Sequence, residues 1–289
     1  MLEFRNTPDA VFSPGRDSNY FDQLTLAAAP LQLSPAYSAV NAWWLAELSR
    51  VIYRESVAEG SIVLPDRTTV LRNAGLTEVK FADGKSTEAA IIDVGPCHVL
   101  AFRGTEDLKD WLRNIDVRPD DWDGPGRAHK GFVGALNEVW REQLHPVLRS
   151  ITGPIFYTGH SLGAALAILA AARIEPDRRP LAVYTYGGPR CGDTTFASEH
   201  PLRDRIHRVV NNRDLVTRMP PGYKHTGELH YITSDRRLLT NPTSAEMADD
   251  RETDDPTHSL RQGDFVPELF TDHAPQNYVA WMQRFALGL

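Results

Sequence analysis

Hydrophobic residues recur at helical spacing in two stretches of the chain. Between positions 38 and 55 they lie three or four residues apart, which predicts a helix with one apolar face: Val40, Trp44, Leu48, Val51 and Ile52. A second run with the same spacing consists of Phe132, Leu136, Val139, Trp140, Leu144 and Val147. We expect both helices to pack against a core rather than to carry chemistry.

Short β-prone runs alternate with helical patterns in the rest of the chain. Strands are predicted at 87–94, 97–102, 155–158, 181–186, 206–210 and 230–233. The alanine-rich residues 162–174 and the C-terminal residues 277–287 predict helices. Strands that alternate with helices favour an α/β fold. We expect residues 1–289 to form one such domain.

The segment 239–264 has no regular pattern. Its residues 246–255 hold six acids and one arginine, and we interpret this acidic stretch as a solvated loop. Calcium binding is a weak alternative, because the acids do not follow a regular ligand spacing.

Charge and composition exclude several classes of protein. The chain has 31 Lys and Arg residues against 38 Asp and Glu residues, for a formal net charge of −7, so the basic surface of a nucleic-acid binder is not expected. The longest stretch without a strongly polar residue, 162–172, is far shorter than the roughly 20 apolar residues that span a bilayer. We therefore expect no transmembrane segment.

The N-terminus and the two cysteines say little about location or about bound groups. Residues 1–15 have no continuous apolar core, so we expect either a cytoplasmic protein or a secreted one whose leader is absent from this sequence. Cys97 and Cys191 are too few for a structural zinc site, and we interpret them as ordinary thiols. No cofactor and no metal is expected, and the oligomeric state stays open.

The sharpest motif is a G-x-S-x-G pattern at Gly159-His160-Ser161-Leu162-Gly163, between a predicted strand and a predicted helix. A serine hydroxyl is a weak nucleophile, which becomes effective when a strained turn exposes it and a base accepts its proton. We therefore predict that Ser161 is a nucleophile. The competing interpretation is a serine that only caps the helix.

A serine nucleophile on this kind of turn is followed along the chain by an acid and then by a histidine. Asp214 stands just past the predicted strand 206–210, at the edge where strand-end residues form a site. We expect Asp193 to cap a helix instead, and Asp204 precedes its strand. Asp214 is therefore the predicted acid, with a turn residue as the alternative.

Four histidines follow Asp214 and compete for the role of the base. His230 falls inside a strand pattern, and His225 is only eleven residues past the acid. His258 lies in the acidic stretch, whereas His273 shortly precedes the closing helix, where a loop can bring its imidazole to the serine. We predict His273 as the general base, oriented by Asp214, and keep His258 and His225 as alternatives.

Acyl transfer also needs hydrogen-bond donors for the oxyanion. The backbone N–H of Leu162, at the start of the helix, is one candidate. Thr105 follows a predicted strand and could donate both its N–H and its hydroxyl. The competing interpretation of Thr105 is an ordinary turn residue.

These motifs together resemble the class 3 lipase family, the fungal-type triacylglycerol lipases and their bacterial and plant relatives. The matching blocks occur in the family's order between about 40 and 285: Phe102-Arg103-Gly104-Thr105, Asp110-Trp111 with Asn114, His129-Lys130-Gly131-Phe132, Gly159-His160-Ser161-Leu162-Gly163, Tyr184-Thr185-Tyr186-Gly187-Gly188-Pro189-Arg190, Arg208-Val209-Val210-Asn211-Asn212-Arg213-Asp214 with Pro220-Pro221, and Asp272-His273. The resemblance implies an α/β-hydrolase fold, in which helices flank a central, mostly parallel mixed sheet. It also implies the nucleophile Ser161, the acid Asp214, the base His273 and the oxyanion residue Thr105.

The resemblance further implies a short lid over about 106–115. Apolar residues there lie at helical spacing: Leu108, Trp111, Leu112 and Ile115. A lid of this kind covers the site in water and meets lipid when it is displaced; a fixed surface helix is the alternative. By the same resemblance, Asn114 would support the Thr105 hydroxyl.

The expected function is that of a serine carboxylester hydrolase of lipase type, acting on acylglycerols or other lipid esters. A lipid–water interface is one place where it could meet them. Two alternatives stay open. One is an esterase for short soluble or feruloyl esters, and the other is a non-catalytic lipase-like scaffold. The order of residues along the chain does not reveal the pocket walls that set the acyl chain length.

Overall fold

Twelve strands are present in the part of the chain that the computed structural model describes, namely residues 2–5, 7, 10–11, 14–16, 19–21, 29–54, 57–59, 62–105, 118–253 and 268–289. They are β1 Val57–Glu59, β2 Ile62–Leu64, β3 Thr77–Asp83, β4 Glu88–Asp93, β5 His98–Phe102, β6 Pro119–Asp121, β7 Arg127–His129, β8 Ile155–His160, β9 Ala182–Tyr186, β10 Ile206–Asn211, β11 Glu228–Ile232 and β12 Leu238–Thr240.

Eight of these strands form the central sheet, in the order β12-β11-β10-β9-β8-β5-β4-β3. The five middle strands, from β11 to β5, run parallel to one another. The outer strands β3, β4 and β12 pair antiparallel. The sequence-based expectation of a mostly parallel mixed sheet is therefore confirmed, although β3 and β12 were not among the predicted strands.

Nine α-helices are present in the same described residues. The first precedes β1, the last three follow β12, and the others lie between strands along the chain. In chain order, the helices are α1 Ala39–Val51, α2 Arg67–Asn73, α3 Lys130–Val139, α4 His145–Ser150, α5 Leu162–Arg173, α6 Thr194–Glu199, α7 Ser244–Thr253, α8 Glu268–Thr271 and α9 Pro275–Leu287. The predicted helix at 38–55 corresponds to α1, which Ser38 caps by accepting the N–H of Asn41. A π-helical turn, Trp140–Leu144, separates α3 from α4 within the second predicted helix.

Helices cover both faces of the sheet. Val99 and Leu100 are neighbours on β5, yet they belong to different hydrophobic clusters, because successive side chains of a strand point to opposite faces. Trp43 of α1 and Val279 of α9 lie in the first cluster, and Leu166 of α5 lies in the second. This two-sided burial is typical of parallel sheets. None of the described helices has the length and apolar character needed to cross a membrane.

The acidic stretch is not a loop in its described part. Ser244–Thr253 is the helix α7, so the prediction of a solvated loop at 246–255 was wrong for residues up to 253, and 254–255 lie outside the described residues. Thr243 accepts the N–H of Glu246 at 3.2 Å, and Glu246 accepts the N–H of Thr243 at 2.7 Å. This reciprocal pair is a capping box, and it was the sequence signal that could have predicted the helix.

Tertiary contacts also hold α7 in place. The carboxylate of Asp250 accepts hydrogen bonds from the hydroxyl of Tyr231 at 2.9 Å and from the hydroxyl of Ser234 at 2.8 Å. The guanidinium of Arg251 donates to the carbonyl of Asn212 at 3.0 Å. The acidic helix therefore packs beside the end of β10, and Asn212, which it contacts there, is two residues from Asp214.

Candidate active site

Ser161 lies on the turn that connects β8 to α5. Its backbone has φ 58° and ψ −128°, a region that residues other than glycine rarely occupy. The side chain makes no capping hydrogen bond to the helix, so the alternative of a purely capping serine loses its basis. The strained backbone is typical of turns that present a reactive serine.

Two glycines allow strand and helix to approach closely at this turn. A Cβ atom on Gly159 would lie 2.2 Å from the carbonyl oxygen of Gly163, and one on Gly163 would lie 2.3 Å from that of Phe102. Both contacts are with backbone, which cannot move aside cheaply. The G-x-S-x-G spacing therefore has a steric reason in this fold.

The structure brings together the three residues predicted as nucleophile, base and acid. Oγ of Ser161 lies 2.9 Å from Nε2 of His273, and Nδ1 of His273 lies 2.9 and 3.0 Å from the two carboxylate oxygens of Asp214. A carboxylate accepts, so Nδ1 carries the proton and Nε2 is left to accept the Ser161 hydroxyl. All three are buried, with 1%, 3% and 0% of their surface exposed.

Different elements position the three side chains. Ser161 follows β8, Asp214 follows β10 and His273 lies between α8 and α9. The carboxyl ends of parallel strands meet at one edge of the sheet, which is where ligands bind in open α/β folds.

The other candidate acids and bases lie elsewhere. Asp193 caps α6 by accepting the N–H of Phe196, as expected, and Asp204 is exposed. Among the histidines, His225 donates to the carbonyl of Thr217 at 2.7 Å, and His230 lies in β11. His258 lies outside the described residues.

Asp214 has further donors that sequence reasoning missed. The backbone N–H of Val216 donates to Oδ1 at 2.9 Å, and the hydroxyl of Tyr278 donates to Oδ2 at 2.6 Å. Burial is the main cause that raises the pKa of Tyr278 well above its ordinary value, and the negative charge of Asp214 is the second. The phenol therefore keeps its proton and acts as a donor. In the sequence, Tyr278 is one more residue of the closing helix, and no local signal marks this role.

His160, the variable residue of the motif, contacts the His273 loop. A backbone carbonyl can only accept, so Nε2 of His160 donates to the carbonyl of His273, at 2.7 Å. Nδ1 then accepts the hydroxyl of Tyr53 at 2.9 Å. Burial is the main cause that holds the pKa of His160 well below its usual value, and the electrostatic effect of His273 is the second. The ring therefore stays in this neutral tautomer. Tyr53 and His160 were also missed from the sequence.

Asp272 ties the same loop to β10. Its Oδ2 accepts the N–H of Arg213 at 2.9 Å, and its Oδ1 accepts the side-chain amide of Asn211 at 3.1 Å. These contacts fix the residues beside His273 and Asp214 to one another.

The two predicted oxyanion residues belong to segments that adjoin the serine turn. Leu162 is the first residue of α5, so its N–H is at the helix N-terminus, where anions are stabilised. Thr105 follows β5, and the neighbouring Gly104 packs so tightly on the serine turn that a Cβ there would lie 3.0 Å from Cβ of Ser161. The predicted lid residues Leu108, Trp111, Leu112 and Ile115, and also Asn114, lie outside the described residues.

Comparisons with known proteins show similarity to lipases. A model of the class 3 lipases matches residues 99–224. The lipase of Rhizomucor miehei is 31% identical over 178 residues, which are 56% of this chain and 47% of that protein. The secreted mono- and diacylglycerol lipase 1 of Fusarium solani is 35% identical over 145 residues, which are 46% of this chain and 43% of that protein. The solved triacylglyceride lipase of Rhizomucor miehei aligns with a TM-score of 0.53 and 26% identity over 72% of this chain and 85% of its own.

The match is limited in length. The chain spans less than half of the first two curated relatives, and the family model includes Ser161 and Asp214 but ends before His273. The central mixed sheet and the aligned solved lipase together show the α/β-hydrolase fold. Residues 99–224, somewhat less than half of the chain, match the class 3 lipase family.

Proposed function

We propose that the protein is a serine carboxylester hydrolase of lipase type, which cleaves acylglycerols or other lipid esters through an acyl-enzyme on Ser161. The observation that carries the proposal is the 2.9 Å contact between Oγ of Ser161 and Nε2 of His273 on a strained turn. The match of residues 99–224 to the class 3 lipases supports the same chemistry.

In the first step, Oγ of Ser161 attacks the carbonyl carbon of the ester while its proton passes to Nε2 of His273. The imidazolium that forms is stabilised by the Asp214 carboxylate next to Nδ1. The tetrahedral intermediate then expels the alcohol, which takes the proton from His273, and the acyl group stays on Ser161.

The developing oxyanion needs donors that are already in place. We assign this role to the N–H of Leu162, at the start of α5, and to Thr105. Removal of a single donor of this type costs roughly 3 to 4 kcal/mol in transition-state stabilisation. The helix N-terminus adds a fixed positive partial charge beside the oxyanion.

In the second half of the reaction, water replaces the alcohol. His273 accepts a proton from the water as its oxygen attacks the acyl carbon, and it returns that proton to Oγ of Ser161 when the intermediate collapses. The products are a carboxylic acid and the free serine. His273 and Asp214 thus act in both halves, which is why loss of either affects acylation and deacylation together.

Lipid esters are proposed as substrates because of the relatives. The Fusarium solani relative is named a mono- and diacylglycerol lipase, and a relative from Arabidopsis thaliana is named a phospholipase A(1). We propose acylglycerols for this chain, since two of the three relatives described above carry an acylglycerol in their names.

A series of p-nitrophenyl esters from acetyl to palmitoyl tests the proposal. We expect turnover by the wild type and its loss, by a factor of at least 10⁴, in Ser161→Ala. Ser49→Ala is the matched control, because Ser49 is also buried but only donates to the carbonyl of Ala46. If none of the esters showed serine-dependent turnover, the proposal would be contradicted. A maximum at acetyl or butyryl would instead favour an esterase.

The predicted lid has its own test. With a short triacylglycerol as substrate, we expect activity to rise sharply once the concentration passes the solubility limit, because an apolar lid face meets the interface there. A smooth hyperbolic response through that limit would contradict the lid while leaving the ester hydrolase intact.

We also propose that residues 1–289 act as one domain and that the protein is secreted, as the Fusarium solani relative is named. Cys97 and Cys191 are both buried and free, so neither forms a disulfide in this fold. Immunodetection in culture medium and in cell lysate of the source organism tests the location, and detection in the lysate alone would contradict it.

A further inference from the structure

Three side chains with metal-binding atoms converge at the end of the sheet away from Ser161. They are His207 on β10 and Glu228 and His230 on β11. Glu228 and His230 are two residues apart and so share one face of β11, and His207 is paired directly with Glu228 across the two parallel strands. We propose that these three residues bind a zinc ion, independently of the ester hydrolysis proposed above.

The distances between the donor atoms fit one ion. Nε2 of His230 lies 3.0 Å from Oε2 of Glu228, Nδ1 of His207 lies 3.4 Å from the same oxygen, and the two nitrogens lie 3.4 Å apart. Zinc binds such atoms at about 2.0 to 2.2 Å in tetrahedral geometry, so its ligand atoms lie about 3.4 Å from one another. The three atoms therefore occupy positions close to three corners of a zinc tetrahedron.

The ring of His207 is held in the tautomer that a metal needs. Its Nε2 lies 2.9 Å from the carbonyl oxygen of Pro35, and because a carbonyl only accepts, Nε2 carries the proton. Nδ1 is then left with a lone pair that points to the cluster. Histidine ligands of metals commonly donate the N–H of their second ring nitrogen to a carbonyl oxygen in this way, which fixes the ring and raises its basicity.

Aromatic packing holds the second imidazole. The ring of Tyr37 stacks on His230 with centroids 3.8 Å apart, and that of Tyr184 lies 4.7 Å from His207. His207 and His230 are both buried, whereas about 37% of the Glu228 side chain is exposed. Two fixed imidazoles and one carboxylate that faces solvent leave a fourth position that water can fill.

The donor set indicates the class of metal. Two imidazoles with one carboxylate suit zinc and its transition-metal neighbours, whereas magnesium and calcium prefer oxygen ligands only. No metal was expected from the sequence. The three residues belong to two strands and show no motif spacing along the chain. A zinc ion here would join β10, β11 and, through Pro35, the segment before α1.

The test uses the untagged full-length protein, stripped with a chelator and then desalted. Isothermal titration with ZnCl₂ should show one zinc per chain, zinc should raise Tm, and MgCl₂ should do neither. Co²⁺ should give the strong visible absorption of a tetrahedral site. We expect His230→Gln and Glu228→Gln to lower zinc affinity at least tenfold.

His145→Gln is the matched control. Nε2 of His145 lies 2.9 Å from Oε1 of Glu175, which is a histidine–carboxylate pair without the second imidazole, so this variant should bind zinc as the wild type does. If His230→Gln does not fold, Glu228→Gln provides the test, because this substitution is isosteric and the side chain is partly exposed. Equal zinc affinity in Glu228→Gln and the wild type, or no saturable binding, would overturn the proposal and leave a hydrogen-bonded cluster only.

Discussion

The hydroxyl of Tyr278 joins the closing helix to Asp214. It donates to Oδ2 of Asp214 at 2.6 Å and accepts the backbone N–H of Asn211 at 3.1 Å. Tyr278 lies on α9, and both partners lie at the end of β10. One buried hydroxyl thus holds the carboxylate in the orientation in which it meets His273.

Tyr278→Phe tests this relationship. The substitution removes a donor from Asp214 and an acceptor from Asn211, and we expect the free energy of unfolding to fall by about 1 to 3 kcal/mol. We also expect kcat to fall more than KM changes, because the carboxylate acts on the imidazolium formed during reaction. Urea unfolding and ester kinetics measure the two effects.

Tyr157→Phe is the control for Tyr278→Phe. Tyr157 is also fully buried, but its hydroxyl has no hydrogen-bond partner among the described residues. Its removal should leave kcat unchanged and leave stability equal or slightly higher. If the two variants behaved alike, the hydroxyl of Tyr278 would have no special role.

Gly187 lies where a side chain would displace both Asp214 and His273. Its φ is +59°, and a Cβ atom would lie 2.6 Å from Oδ2 of Asp214 and 3.0 Å from Nδ1 of His273. We expect Gly187→Ala to lower kcat of ester hydrolysis about 100-fold, because a displacement of about 1 Å in a catalytic group has an effect of that size.

Gly222→Ala separates this effect from backbone strain. Gly222 also has a positive φ, of +86°, but the position of its Cβ is open. The variant should lose about 1 kcal/mol of stability and keep its kcat. Comparable kcat values in the two alanine variants would show that Gly187 does not control the geometry of the site.

The sequence predicted the parts of the site that have a local signal. Ser161 sits in a pentapeptide whose glycines have a steric reason. Asp214 follows a predicted strand, and His273 shortly precedes a predicted helix. Parallel strands then place the ends of β8 and β10 at one edge. Local pattern and chain order were sufficient to predict the three residues that the structure brings together.

The supporting contacts could not be predicted, because each joins residues distant in sequence. Tyr53 and His160 are 107 residues apart, and Tyr278 and Asp214 are 64 apart. Tyrosines of this kind look like ordinary core residues until the helices are packed. His207 and His230 show the same limit, since only the register of β10 on β11 brings them together.

The acidic helix α7 was missed for another reason. It has no apolar face, and its position depends on polar contacts such as those of Asp250 with Tyr231 and Ser234. A search for hydrophobic periodicity does not find such a helix. Its capping box was visible in the sequence but was not used.

Asp250→Ala measures how much these polar contacts stabilise α7. Tyr231 and the N–H of Ser234 would lose their shared acceptor, and we expect the free energy of unfolding to fall by about 1 to 3 kcal/mol. Asp249→Ala is the control, because Asp249 is the exposed neighbour on the same helix, and it should change stability by less than about 0.5 kcal/mol. Equal losses in urea unfolding would contradict a specific role for Asp250.

His200 is expected to make stability depend on pH. Its Nε2 donates to the carbonyl of Ile168 at 3.0 Å, and its Nδ1 accepts the N–H of Leu202 at 3.1 Å. A second proton on the ring would remove that acceptor. Burial is the main cause that lowers the pKa of His200 to about 4.

The sign of the effect follows from the two states. In the unfolded chain the pKa of a histidine is about 6.5, so below that pH the unfolded state binds a proton that the folded state does not take up until about pH 4. The stabilisation that depends on a neutral His200 is therefore complete above pH 6.5. It is lost as pH falls to about 4, which lowers the free energy of unfolding by roughly 3 kcal/mol in total.

Urea unfolding at a series of pH values between 7.5 and 4 measures this loss of stability. We expect a shallower decline in His200→Asn than in the wild type, and an unchanged one in Ser198→Ala, whose exposed side chain lies on the neighbouring α6. Parallel pH profiles for His200→Asn and the wild type would show that His200 is not the titrating group.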